Sequence, residues 1–197
     1  MENYGIIIIF IITQIFKKII TLIYMLSNIS DLTNNSDLLY LFTAVTIVDL
    51  IVIFISKSTH IFGKNLDTWY NKFNLSAVIL DIFIIVIGFI ITRFIFYFYN
   101  LTFSPLLFIS IAVIVQLIHD FLFYKLIIEP TPYGTNDLMD VYKDYAHDGS
   151  YRILIMDSIM VISSALIAMN LKSLPEYASS SLLVLSIYLI PYLLFQH

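Results

Sequence analysis

The chain has 197 residues, 60% of them hydrophobic and 12% charged, with a net charge of −4 and no cysteine. Soluble domains run at about 45–50% apolar and about 25% charged, so an ordinary water-soluble domain is excluded. The lack of cysteine excludes disulfides, zinc–thiolate sites and thiol catalysis. An acidic balance without a basic patch argues against nucleic acid as a partner.

A membrane span needs about 20 mostly apolar residues. Runs of that kind fall at 4–26, 38–56, 76–98, 104–128, 151–171 and 178–195, which predicts one all-α transmembrane bundle of six helices with no separate soluble domain. The first run begins with Glu2 and carries Lys17 and Lys18 after its apolar stretch. A secretory signal has the reverse order and a small-residue cleavage site, so the run reads as a retained helix. Gln14, Lys17, Lys18 and Thr21 give it one polar face. The apolar stretch before the lysines favours a span with that face inward over an interfacial anchor.

Between the runs, Asn28–Asp37 reads as a polar connection, Lys57–Leu75 as a longer basic loop and Tyr99–Phe103 as a tight turn, while Pro175 separates the last two helices. The longest connection is Glu129–Ser150. In "EPTPYGTNDLMDVYKDYAHDGSY", Pro130, Pro132 and Gly134 suit a turn and Asn136 suits a helix N-cap. Asp137 and Asp140 suit a first helical turn, and Gly149 suits its end. Leu138, Tyr142 and Tyr145 recur at i, i+4 and i+7, predicting a short amphipathic helix against the bundle or the bilayer. Asp137 is followed by Leu138 and Met139, which breaks the alternating ligands of a calcium loop. Asp144, His147 and Asp148 read as a solvated acidic face, with a divalent-ion contact as the alternative. Asn136, Asp140, Lys143, Asp144 and Tyr145 are the candidates for contact with a cytosolic partner.

With six spans, Lys57, Lys64, Lys72, Lys125, Lys143 and Arg152 collect on one side, and only Arg93 and Lys172 near the other. The lysine-rich side is expected to be cytosolic, with both termini there.

Four of the runs contain an aspartate: Asp49, Asp81, Asp120 and Asp157. Each costs about 3 kcal/mol at a helix centre, so each is expected to face the bundle. Helical phase agrees: Asp49 shares a face with Thr46 and Ser56, Asp81 with Ala77, Gly88 and Thr92, and Asp120 with Gln116, His119 and Tyr124. All four fall in one layer nearer the cytosolic side, with His119 the expected carboxylate partner and Lys17 or Lys18 a counter-ion. Lys125 faces away from Asp120 and is expected to snorkel outward. The candidate site is therefore Asp49, Asp81, His119, Asp120 and Asp157, with no cofactor or diagnostic metal spacing and no nucleophile–base pair.

The residues from Gln116 to Ser164, "IHDFLFY…I.P.P.G.N..MDVYKDYA…G…..DS.M.ISSALIA", resemble a multi-pass membrane protein family of large nucleocytoplasmic DNA viruses that has no assigned function. The matching positions are His119, Asp120, Pro130, Pro132, Gly134, Asn136, Asp140, Lys143, Tyr145, Gly149, Asp157 and Ser158. The resemblance implies a viral product in a virion or host-derived membrane. The favoured expectation is a structural or assembly role there, with the bilayer, other membrane or virion proteins and a second copy of the chain as partners. The aspartate–histidine layer is then a satisfied polar network that fixes helix register; the alternative is a small cation or proton transporter using that layer.

Overall fold

The computed structural model describes Gln14, residues 26–59 and residues 64–195. Apart from turns, the described residues fold as helix: α1 (Ser36–Thr59), α2 (Lys64–Phe73), α3 (Leu75–Phe98), α4 (Pro105–Phe123), α5 (Asp137–Leu171) and α6 (Glu176–Leu194). Helix α4 runs on through one wider π-helical turn, Tyr124–Ile128. Five segments are long and apolar enough to cross a membrane: α1, α3, α4 with its π turn, the Ile153–Leu171 part of α5, and α6. They correspond to the second through sixth expected runs. The first run, with Lys17 and Lys18, lies outside the described residues except for Gln14 and Leu26, so the bundle described has five spans.

Helix α1 sits centrally, packed against α3, α5 and α6, and it buries Leu41, Ala44, Val45, Val48 and Ile53. The outer surface carries Phe83, Ile87 and Phe94 of α3, Leu106, Ile114 and Phe121 of α4, and Val184 and Tyr188 of α6. Such a surface is a liability in water and costs nothing in hydrocarbon. There the helices are held by close packing at small residues rather than by expulsion of water; Ala44 of α1 and Ala165 and Ala168 of α5 are fully buried.

Two connections differ from expectation. Much of the expected loop between Lys57 and Leu75 is α2, whose Leu66, Trp69, Tyr70 and Phe73 recur at i, i+3, i+4 and i+7. Trp69 and Tyr70 are buried by this packing. The expected short helix ending at Gly149 is instead the start of a single 35-residue helix, α5. Asn136 does cap it, accepting the Leu138 N–H at 2.8 Å. A glycine inside a helix costs only about 1 kcal/mol. Tyr142 packs on Trp69 and on Phe123, and this contact holds the first turns of α5 in place. The α2–α3 and α3–α4 connections each use an asparagine in the left-handed region, Asn74 at φ 49° and Asn100 at φ 50°, a conformation asparagine tolerates.

At the end where α1 starts and α3 and α5 finish, Asp37 is 0% exposed and Arg93 1% exposed. Lys172 Nζ lies 2.6 Å from Asp37 Oδ1, and Arg93 Nη2 lies 3.9 Å from Oδ2. Arg93 also donates to the carbonyls of Asp31 and, at 2.7 Å, Asn34, and Lys172 donates to the Asn28 carbonyl at 2.6 Å. The two basic residues expected near the second side are thus drawn into one cluster that ties α1, α3 and α5 to the segment before α1. Removing one member of a buried ion cluster strands the others, at about 3–5 kcal/mol. Asp37→Leu is expected to lower unfolding stability in detergent by that amount, and adding Arg93→Met to recover part of it.

Candidate functional site

The other end of the bundle, where α1 and α4 finish and α3 and the span of α5 begin, holds the fully buried Asp49 and the half-buried Asp81, Asp120 and Asp157. Asp49, Asp81, Asp120 and Asp157 each lie within about ten residues of that end, roughly 15 Å or less at 1.5 Å per residue. Asp81 of α3, His119 and Asp120 of α4 and Asp157 of α5 line one cavity of about 470 Å³. Its wall is completed by Trp69 and Tyr70 of α2, Gln116, Tyr142, and apolar side chains such as Ile85, Leu117 and Met160. Tyr124 and Ile128 of the π turn also face it. In that turn the Glu129 N–H reaches the Tyr124 carbonyl at 2.8 Å. Single π turns are frequent at functional sites.

Asp49 sits behind the cavity rather than in its wall. It is fully buried, and the Tyr70 hydroxyl lies 3.2 Å from its Oδ1. The same hydroxyl is 3.3 Å from Asp81 Oδ2, which also accepts from Trp69 Nε1 at 3.1 Å. On α4, Gln116 Nε2 donates to Asp120 Oδ1 at 2.8 Å, and His119 Nδ1 lies 3.2 Å from the same oxygen. The His119 ring stacks on Phe123, which fixes its orientation. Asp49 Oδ2 and Asp120 Oδ2 are buried with no hydrogen-bond partner among the described residues, where buried polar atoms normally have one.

None of Lys57, Lys72, Arg93, Lys125, Lys143 and Lys172 pairs with these four aspartates; the side chains of Lys64 and Arg152 lie outside the described residues. Lys125 turns outward to Glu129 at 2.9 Å, Lys72 pairs with Asp137 at 3.1 Å, and Arg93 and Lys172 serve Asp37. Lys57 donates to Asn71. The expected counter-ions Lys17 and Lys18 lie outside the described residues. The phenols around the site stay neutral donors. Burial, followed by the charges of Asp49 and Asp81, pushes Tyr70 well above the usual tyrosine range, and burial with Asp81, Asp157 and Asp120 does the same to Tyr142. Several carboxyls around one apolar cavity cannot all be ionised without a counter-charge, so the arrangement suits a proton or a cation. Among the described residues no three acidic or histidine side chains close on a single metal position.

The candidate partner-contact residues behave differently. Asp140 accepts the Gly134 N–H at 2.9 Å, with Gly134 at φ 81°, a backbone conformation that favours glycine. Lys143 is buried; it donates to the Thr131 carbonyl and lies over the Tyr133 ring. Asp144 accepts from the Tyr133 hydroxyl at 3.3 Å. Asn136, Asp140 and Lys143 therefore fold residues 131–136 onto α5, whereas Asp144 keeps an exposed carboxylate. The Tyr145 side chain, with His147 and Asp148, lies outside the described residues.

Trp69, Tyr70 and the π turn are the parts of the site that sequence reasoning missed. The i, i+3, i+4, i+7 aromatics of α2 were the available signal; the π turn has none that we recognise. Compared with protein-family models, with curated proteins and with solved structures, the chain finds no match.

Asn can occupy the space of Asp and still bond its neighbours, but leucine leaves Gln116 and His119 without a partner, at about 1–3 kcal/mol. Asp120→Asn is expected to unfold within about 0.5 kcal/mol of the unsubstituted chain, a surface-like change, and Asp120→Leu to lose the larger amount, as read by thermal or denaturant unfolding in detergent.

Proposed function

We propose that this multi-pass membrane protein binds a cation, the proton included, in the cavity between α3, α4 and α5 and carries it through the bilayer. One observation supports this above the rest. Asp81, Asp120 and Asp157 surround a cavity of about 470 Å³ without a lysine or arginine among the described side chains to neutralise them, while Asp37 at the opposite end has two. A network that served only to fix helix register would close-pack around its carboxyls. Ionisable groups facing a cavity inside a membrane bundle are the usual marks of an ion or proton path.

In this reading Asp120 is the entry group. Its Oδ1 is held by Gln116 and His119, and its Oδ2, buried without a partner among the described residues, is the oxygen left to take a proton or cation. His119, beside it, passes or receives the proton that the cation displaces. Asp81 and Asp157, on the facing helices, take the charge next. Lys57, Lys72, Lys125 and Lys143 lie toward the cavity end, and on the positive-inside rule we place that end in the cytosol.

A structural role in a viral membrane is the second reading. It rests on the resemblance of residues 116–164 and on the exposed carboxylate of Asp144 beside the ordered 131–136 turn. In proteoliposomes under an imposed proton or cation gradient, the transport reading expects flux that Asp120→Asn abolishes while folding is kept. Absence of flux, or flux indifferent to Asp120→Asn, would remove it in favour of the second reading.

A further inference from the structure

If Asp49 and Asp81 were both ionised, Tyr70 would have a single proton to share between two adjacent negative charges. A phenol has one proton to give, yet the Tyr70 oxygen lies 3.2 Å from Asp49 Oδ1 and 3.3 Å from Asp81 Oδ2. Two carboxylates accept only. Either that one proton is shared between two carboxylates, or one of the contacts is made by a carboxylic acid donating to the phenol oxygen. Two adjacent carboxylates with no cation beside them among the described side chains favour the acid. Both distances are longer than a single strong O–H···O bond of about 2.7–2.8 Å, as suits one hydroxyl placed between two oxygens.

The surroundings decide which aspartate holds the proton. Asp81 Oδ2 receives two donors, Trp69 Nε1 at 3.1 Å and the Tyr70 hydroxyl, and donors aimed at a carboxyl favour its charged form. Asp49 has Tyr70 alone. Its Oδ2 has no partner among the described residues, and the whole residue is 0% exposed. Leaving a full charge there costs several kcal/mol. Among the described residues the titratable groups acting on Asp49 are Asp81 on α3 and Tyr70 on α2.

We propose that Asp49 is a neutral carboxylic acid donating to Tyr70, that Tyr70 donates to an ionised Asp81, and that this chain stores one proton behind the cavity. The stored proton can be relayed to the cavity wall by a concerted shift, at the cost of charging Asp49. The Asp49 proton moves to the Tyr70 oxygen as the Tyr70 proton moves to Asp81, leaving an Asp49 carboxylate that accepts from Tyr70 and a protonated Asp81 in the cavity wall. Charge and proton number are unchanged within the three groups. Helix α2 thus has a use beyond covering the bundle, because it carries the hydroxyl that connects an occluded acid on α1 to the cavity. The proton count holds whether or not the cavity carries cations, so its failure and a failure of the transport reading are seen separately.

Infrared difference spectroscopy of the full chain in lipid nanodiscs at neutral pH tests this. The carbonyl absorption of protonated aspartic acid should lose a component in Asp49→Asn and keep that component in Asp81→Asn, where the amide oxygen still accepts from Trp69 and Tyr70. Survival of the full absorption in Asp49→Asn, or its loss in Asp81→Asn instead, would overturn the proposal. Tyr70→Phe supplies a reading that needs neither variant. Asp49 then loses its acceptor and its carbonyl band should move to higher wavenumber; an unmoved band also contradicts the chain.

Discussion

An aspartate carried into hydrocarbon can be met by a cation beside it, a proton on it, or hydrogen bonds around it, and having none costs several kcal/mol. This chain carries five such residues inside the bundle, Asp37 and Asp49 fully buried and Asp81, Asp120 and Asp157 half-buried, and treats them in two ways. Asp37 is matched by Arg93 and Lys172. The other four receive hydrogen bonds or face a cavity, with no lysine or arginine among the described side chains to neutralise them. The arrangement of the helices follows from that division. Arg93 and Lys172 gather α1, α3 and α5 at one end, while at the other the carboxyls of α3, α4 and α5 are kept around open space.

The difference between the ends is chemical as well as geometric. A carboxylate between a guanidinium and an ammonium serves as a fastening. Carboxyls beside neutral donors, Trp69, Tyr70 and Gln116, keep their charge negotiable, because those donors stabilise a charge without supplying its opposite. Helix α2 makes much of this possible. Its apolar face packs on α3 and α5, and the same face delivers the indole N–H and the phenol to Asp81 and Asp49.

Much of the bundle was legible in the sequence, because a transmembrane helix announces itself by length and hydropathy without regard to its neighbours. The runs at 38–56, 76–98, 104–128, 151–171 and 178–195 all correspond to helices. The helical phase of Asp81, Asp120 and Asp157 was readable too, since charged side chains avoid lipid. Asp37 was not, because its basic partners lie far away in sequence, at Arg93 and Lys172. Nor was the length of α5, since Gly149 looks like a helix end until Tyr142 is seen packed between Trp69 and Phe123. Asn136, Asp140 and Lys143 look like a polar surface in one dimension; in three they bind their own turn.

The central claim is that the two ends hold carboxyls in different states, and reaction with a membrane-permeant carbodiimide measures that directly. Such reagents modify protonated carboxyls in apolar surroundings and spare ionised, salt-bridged ones. Peptide mapping by mass spectrometry after brief treatment in lipid should find adducts at Asp49, Asp120 or Asp157 and none at Asp37. Modification of Asp37 as readily as of those three, or of Asp37 alone, would contradict the account.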